Sequence, residues 1–258
     1  MSSDILSVLV CLVITLLVSF PLAGALKRRP WAFYLAAALV TAAYLWYRQA
    51  GAYVPGVQFL VDTMQKGYLA SFFLMVVMLT GTLDEGSAAR RTLQPVRAEL
   101  SIISFILAIG HVVAFLPAYL PHLSRVVTTH SYVAVSLVLA LVLTALYALL
   151  TLLSLRVFRR RMPYRTWKGI QRLSYLMVAL LYLHILLTVG HSAITGKTND
   201  AKVAIVVYTL VGLAYLVLRV RKALCDRRRR AAGDPQGARE VGEPSDAEGC
   251  PPTAGGRR

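Results

Sequence analysis

The chain has 258 residues, is 57% hydrophobic, and carries a formal net charge of +16 and a mean hydropathy of +0.61. A soluble domain is nearer about 45–50% apolar, so the composition excludes an ordinary soluble enzyme and points to a polytopic membrane protein with a lipid bilayer as its first partner. The charge would suit nucleic acid, but the lysines and arginines sit in short clusters between apolar runs, as cytoplasmic loops do, so no nucleic-acid partner is expected.

Seven apolar segments are predicted, at 4–26, 31–48, 66–83, 98–119, 130–155, 170–192 and 202–220. They lack period-2 alternation and are too long for barrel strands. In lipid every backbone polar group must be satisfied internally, which leaves an all-α bundle of about seven transmembrane helices. The first segment has Asp4 before it and Lys27, Arg28 and Arg29 after it. A cleaved signal peptide has the opposite asymmetry, so a span with its N-terminus outside is expected despite the AGA at 23–25. The loops then alternate. Arg90, Arg91 and Arg97 form one basic group; Arg156, Arg159, Arg160, Arg161, Arg165, Lys168 and Arg172 form another; Arg219, Arg221, Lys222 and Arg227 to Arg230 close the series. The loops between these groups are poor in basic residues, so an outside N-terminus and an inside C-terminus fit all seven spans. Residues 50–65, broken by Pro55 and Gly56, are expected to form a short interfacial helix on the outer surface. The tail from Ala231 is rich in Gly, Pro, Arg and Glu and is predicted to be disordered. The organisation is thus two N-terminal spans with an outer segment (1–65), a helical core (66–220) and a basic tail (221–258). No GxGxxG or GxxxxGK[ST] stands in the chain, so no flavin or nicotinamide module of its own is expected.

Cys11, Cys225 and Cys250 form no CxxC spacing, which argues against a disulfide framework, a zinc site or an iron–sulfur site. The ionisable chemistry inside the spans falls to histidine, and an intramembrane imidazole is costly enough to suggest a function. His122 follows Pro121 in an outer loop and His130 opens the fifth segment; both read as ordinary interfacial residues. His111 lies 14 residues after Arg97, and His184 lies 12 after Arg172. At about 1.5 Å per residue both are roughly 20 Å from the inner face. Two imidazoles at one depth on two parallel spans suit the two axial positions of a haem iron, with the macrocycle inside the bundle. Gly110 is expected to leave room for that macrocycle. Hydrogen bonding of each histidine to a neighbouring helix explains them as well. His191, seven residues after His184 on the same face, is a secondary candidate: a further ligand, a proton-handling group or an interfacial residue.

RAELSIISFILAIGH at 97–111, followed by TWKGIQRLSYLMVALLYLH at 166–184, resembles the ferric-reductase-like transmembrane domain family. That family includes the membrane cores of ferric reductases and NADPH oxidases and the haem-binding subunit of the methionine-sulfoxide reductase system. The pattern rests on Trp167, Arg172, Leu173, Tyr175 and His184, and the resemblance covers roughly 66–220. It implies a helical bundle that holds haem b and moves electrons across the membrane. Carried over by position, the axial ligands, and so the iron-binding residues, are His111 and His184. The family often has another histidine 13 residues before the later one, where this chain has Gln171. Arg97 and Arg125 stand 14 residues to either side of His111, so the inner haem of two-haem members is expected to be missing. The family's RR-x-LG signature departs to RRTLQPVRAEL here.

A lone haem some 20 Å from the inner face is poorly placed for a soluble cytoplasmic donor. The expected function is therefore a membrane b-type cytochrome. It would pass electrons between a quinone, or a flavin or redox partner subunit, and an acceptor at the outer face. It would act as the electron-transfer subunit of a ferric-reductase-like oxidoreductase in the plasma membrane, such as a bacterial inner membrane. A haem-free scaffold or a transporter subunit are the alternatives; the expected lack of intramembrane Asp or Glu and of paired interrupted helices speaks against transport. Arg97, Arg172 and Lys168 read as topology residues or as binders of a flavin phosphate or haem carboxylates.

Overall fold

The computed structural model describes residues 3–51, 58–84, 86–122, 124, 128, 131–155, 158, 162–195 and 199–231. Among them there is no strand, and the fold is all-helical. The first predicted span is interrupted. Helix α1 (Ser3–Ser19) and the short α2 (Ala23–Arg28) are separated at Phe20–Leu22, where Pro21 has no N–H to offer a helix. Helix α3 (Pro30–Ala50) opens on a proline, whose missing N–H costs nothing in the first turn, and closes on Gly51 at φ 60°. The predicted helix in the 50–65 segment is α4 (Gln58–Gln65). Gly67, also left-handed at φ 67°, turns the chain into α5 (Tyr68–Thr80). Helix α6 (Ala88–Leu93) is capped by Ser87, whose Oγ accepts from the Arg90 N–H at 3.2 Å. A 3₁₀ turn at Gln94–Val96 leads to α7 (Arg97–Tyr119). Then come α8 (Ser131–Ser154), α9 (Tyr164–Gln171), α10 (Leu173–Ile194) and α11 (Asn199–Ala231).

Among the described residues four stretches are long and apolar enough to cross a membrane: Ala88–Tyr119, Val133–Ser154, Gly169–Gly190 and Ala204–Arg228. Leu6–Ser19 and Tyr68–Thr80 are apolar but shorter. Helix α3 is long but is not among the four; it carries Trp, Tyr, Gln and Arg at its C-terminal end. His130, Lys197 and the tail beyond Ala231 lie outside the described residues.

Among the four long apolar stretches the one that contains α7 is the most embedded: a third of its apolar window is buried, against about a tenth for those of α8 and α10. Its buried face reads Glu99, Leu100, Ile103, Ser104, Leu107 and Gly110, a three-to-four spacing that gives one stripe. That stripe meets α5 and α3, while α8 pairs mainly with α10 and touches α7. Apolar burial does not drive helix association in lipid, so close packing and interhelical hydrogen bonds must do so. Ser104 Oγ donates to Ala70 O at 2.6 Å and ties α7 to α5; Thr41 Oγ1 donates to Ile106 O at 3.4 Å and ties α3 to α7. On α1 the small residues Ser7, Cys11, Thr15 and Ser19 recur every four positions at 0–1% exposure and let α1 approach α5. The compact unit that contains all of these elements runs from Met1 to Tyr215. A second unit begins at Leu216, and in its helical part Lys222 Nζ stands 3.6 Å from Asp226.

Gly110 has a different role from the one expected. A Cβ on it would stand 2.7 Å from Thr41 Cγ2 on α3, so the space it leaves is occupied by a helix crossing and is not available to a cofactor. Gly110→Val is expected to destabilise the fold by about 1–3 kcal/mol through overpacking. Gly110→Ala should be destabilising alone and largely rescued by Thr41→Ser, which removes Cγ2 and keeps the hydroxyl. Thermal denaturation of the two single variants and the double variant in detergent checks this coupling.

Candidate functional site

The two predicted histidines come together. His111 on α7 and His184 on α10 both line one cavity of about 760 Å³, within the range of about 300–1,000 Å³ usual for small-molecule and cofactor sites. The lining is mostly apolar, with Leu74, Phe105, Phe115, Leu137, Leu181 and Ile185 among its walls. At one end Phe105 meets Tyr147 edge-on, with centroids 5.2 Å apart. Together with the buried Met177 they form a floor. At the other end the cavity reaches Asp62, Gln65 and the exposed Lys66 on and just after α4.

Each imidazole is held by one nitrogen. His111 Nδ1 lies 2.6 Å from Gln65 O. A carbonyl can only accept, so Nδ1 carries the proton and Nε2 keeps its lone pair. The bond also serves α4, since Gln65 is its last residue and its carbonyl has no intrahelical donor. Gly67, at φ 67°, turns the chain beside the same ring edge, where a Cβ would make an ordinary contact 3.6 Å from Nδ1. Phe115, one turn on, packs against the ring at 5.0 Å between centroids. His184 Nδ1 lies 3.3 Å from the hydroxyl oxygen of Ser136 on α8, a group that both donates and accepts. No partner for Nε2 of either ring occurs among the described residues.

This donor set suits a group that takes two imidazole ligands. A metal-bound histidine usually directs its second ring nitrogen to a carbonyl or other polar partner, which fixes ring orientation and tautomer; both rings have such a partner. Among the described residues no group of three or more His, Cys, Asp or Glu could hold a bare ion. A haem needs only two axial side chains because the macrocycle supplies the remaining ligands.

Residues 66–182 match the family model described as the ferric reductase like transmembrane component. The chain carries a ferric-reductase-like transmembrane domain. With its four apolar helices, that makes it an integral membrane protein, and the family points to a membrane redox role. An uncharacterized protein of Treponema pallidum (strain Nichols) is 35% identical over 176 residues, which is 67% of this chain and 48% of that protein. The chain thus spans about half the length of the curated relative it matches. No solved structure matches.

The ferric-reductase-like domain contains His111, and its last matched residue is two positions short of His184. His191 lies in α10, but its side chain, like that of His122, is outside the described residues. Arg97, considered as an anion binder, does not line the cavity; its Nε donates to Val77 O at 3.1 Å near the end of α5. Three contributors were missed in the sequence: Gln65, Ser136 and Lys66. Gln65 acts through its carbonyl, which every residue type has. Ser136 looks like any small polar residue of a span, and Lys66 like any loop cation.

Proposed function

We propose that the chain is a membrane b-type cytochrome in which His111 and His184 are the axial ligands of one haem. The observation that carries this reading is the pair of imidazoles in a single cavity, each anchored through Nδ1 with Nε2 left over. Haem, when bound, supplies a one-electron couple. The chain's own residues bind it (His111, His184), hold the ligands in orientation (the Gln65 carbonyl, the Ser136 hydroxyl) and keep water away (Leu74, Phe105, Leu181).

One haem, rather than two, is favoured by what fills the rest of the bundle. Leu74, Met78, Tyr147 and Met177 form a second buried cluster; three of them line the cavity, and with Met78 behind them they pack its inner end with side chains. Gln171 and Arg97 stand at the positions where a second pair of ligands would be needed. In the seven-span, N-outside topology that the basic loops favour, the floor faces the inner side and the α4 end faces out. Electrons from an inner-face donor would have to cross packed side chains. A quinone in the membrane or a separate flavin or redox subunit is therefore the better donor, with the acceptor at the outer face. The chain then acts as the electron-transfer subunit, substrate chemistry falls to a partner, and the setting is a plasma membrane of the bacterial inner-membrane type.

The purified protein, expressed with haem supply, should show a sharp b-type band in its reduced-minus-oxidised spectrum. Pyridine haemochrome should give about one haem per chain. A folded, haem-free protein would overturn the reading in favour of a scaffold; two haems per chain would overturn the single-site assignment.

A further inference from the structure

The cavity is apolar along its walls, and its described lining contains one lysine or arginine, Lys66. Lys66 lies between two residues that already serve the site. Gln65 presents its carbonyl to His111 Nδ1 at 2.6 Å, and Gly67, at φ 67°, lets the chain turn against the same ring. The Lys66 ammonium is 5.9 Å from the Tyr68 ring centroid, at the exposed end of the cavity. A second cation, Arg48, stands at this end over Phe115, 5.7 Å from its centroid, but does not line the cavity. Asp62 lines it, and its Oδ1 accepts from Gln58 Nε2 at 3.0 Å.

A tetrapyrrole with carboxylate side chains cannot place those charges against Leu74 or Leu181, because an unpaired charge in apolar surroundings is costly. Its anionic edge is best placed at the exposed end of the cavity, beside Lys66. We propose that Lys66 is the carboxylate anchor of this cavity and that it fixes which way the ligand faces. The inference rests on the haem reading above. It displaces the inner-face cations Arg97 and Arg172 from that role, since neither lines the cavity; the Lys168 side chain is outside the described residues. It also makes Gln65–Lys66–Gly67 a single device: one peptide carbonyl holds the axial imidazole while the next side chain holds the macrocycle's edge.

A cation beside the haem favours the added electron, and an anion disfavours it. Lys66→Gln should therefore lower the midpoint potential, Lys66→Glu should lower it further, and Lys66→Arg should leave it near the native value. Asp62→Asn should raise it. The experiment is potentiometric titration of the purified full chain, with haem per chain measured after extended detergent washing. Retention is expected to fall in the order native, Lys66→Gln, Lys66→Glu. Reconstitution with haem dimethyl ester, which has no carboxylates to anchor, should erase the difference in retention between the native chain and Lys66→Gln. If the native chain holds haem while Lys66→Gln and Lys66→Glu match it in both potential and retention, the anchor is overturned and the haem reading stands. If the native chain holds no haem, the haem reading falls and the anchor with it.

Discussion

His184→Ala is expected to leave a folded protein that has lost most of its haem. The side chain lines the cavity, and among the described residues its hydrogen bond to the rest of the bundle is the 3.3 Å contact with Ser136, so truncation removes the proposed ligand and little else. The loss in haem affinity should exceed the roughly 10–100-fold typical for losing a supporting partner of a ligand. Ser136→Ala supplies that lesser effect. Its expected cost is near the lower end, about tenfold, because a 3.3 Å contact is a long hydrogen bond. His184→Met should retain some haem with a raised midpoint potential, since a methionine/histidine pair favours the reduced state. Absorption spectra and pyridine haemochrome of the purified variants check the series. Full haem retention in His184→Ala would remove His184 from the ligand set.

His111→Ala is expected to abolish haem retention and to destabilise the fold as well. The imidazole is the donor that satisfies the Gln65 carbonyl at the end of α4; an unmet buried acceptor costs about 1–3 kcal/mol, and this part-buried one should fall toward the lower end. His111→Asn separates the two duties. Its amide can donate to a carbonyl but is no substitute for an axial imidazole, so it should stay haem-free while regaining part of the lost stability. Thermal denaturation in detergent, read beside the haem content of both variants, makes the comparison. Equal stability of the native and His111→Ala chains would show that the Gln65 contact contributes nothing. His122→Ala should change neither quantity.

The parts of the site legible in the sequence are those whose chemistry is rare in lipid. Two histidines at matching depth stand out against apolar spans because an intramembrane ionisable group needs a reason to be there. The supporting residues were not legible, because what they contribute is not specific to their type. The carbonyl that orients His111 could come from any residue at position 65, and Ser136 differs little from the other small polar residues of the spans. Gly110 misled for a related reason. A missing side chain signals room but not what fills it, and α3 fills it with Thr41. The stretch 166–196 carries the densest motif, yet α7 is more embedded than α10. Motif density reports chemistry, whereas embedding reports how many neighbours a helix has.

The sequence by itself determined the all-helical membrane class, the ferric-reductase-like domain and the two histidines worth testing. Those properties reside in local composition and in spacing along one chain, so they can be read without knowing which helices meet. The tertiary structure decided that His111 and His184 open into one cavity, that its floor is closed by Tyr147, Phe105 and Met177, and that its charged end belongs to α4 and Lys66. These depend on the rotation and pairing of helices. In lipid such pairing is set by close fit and by a few interhelical hydrogen bonds, such as Ser104 to Ala70 O, that leave almost no periodic trace in the sequence.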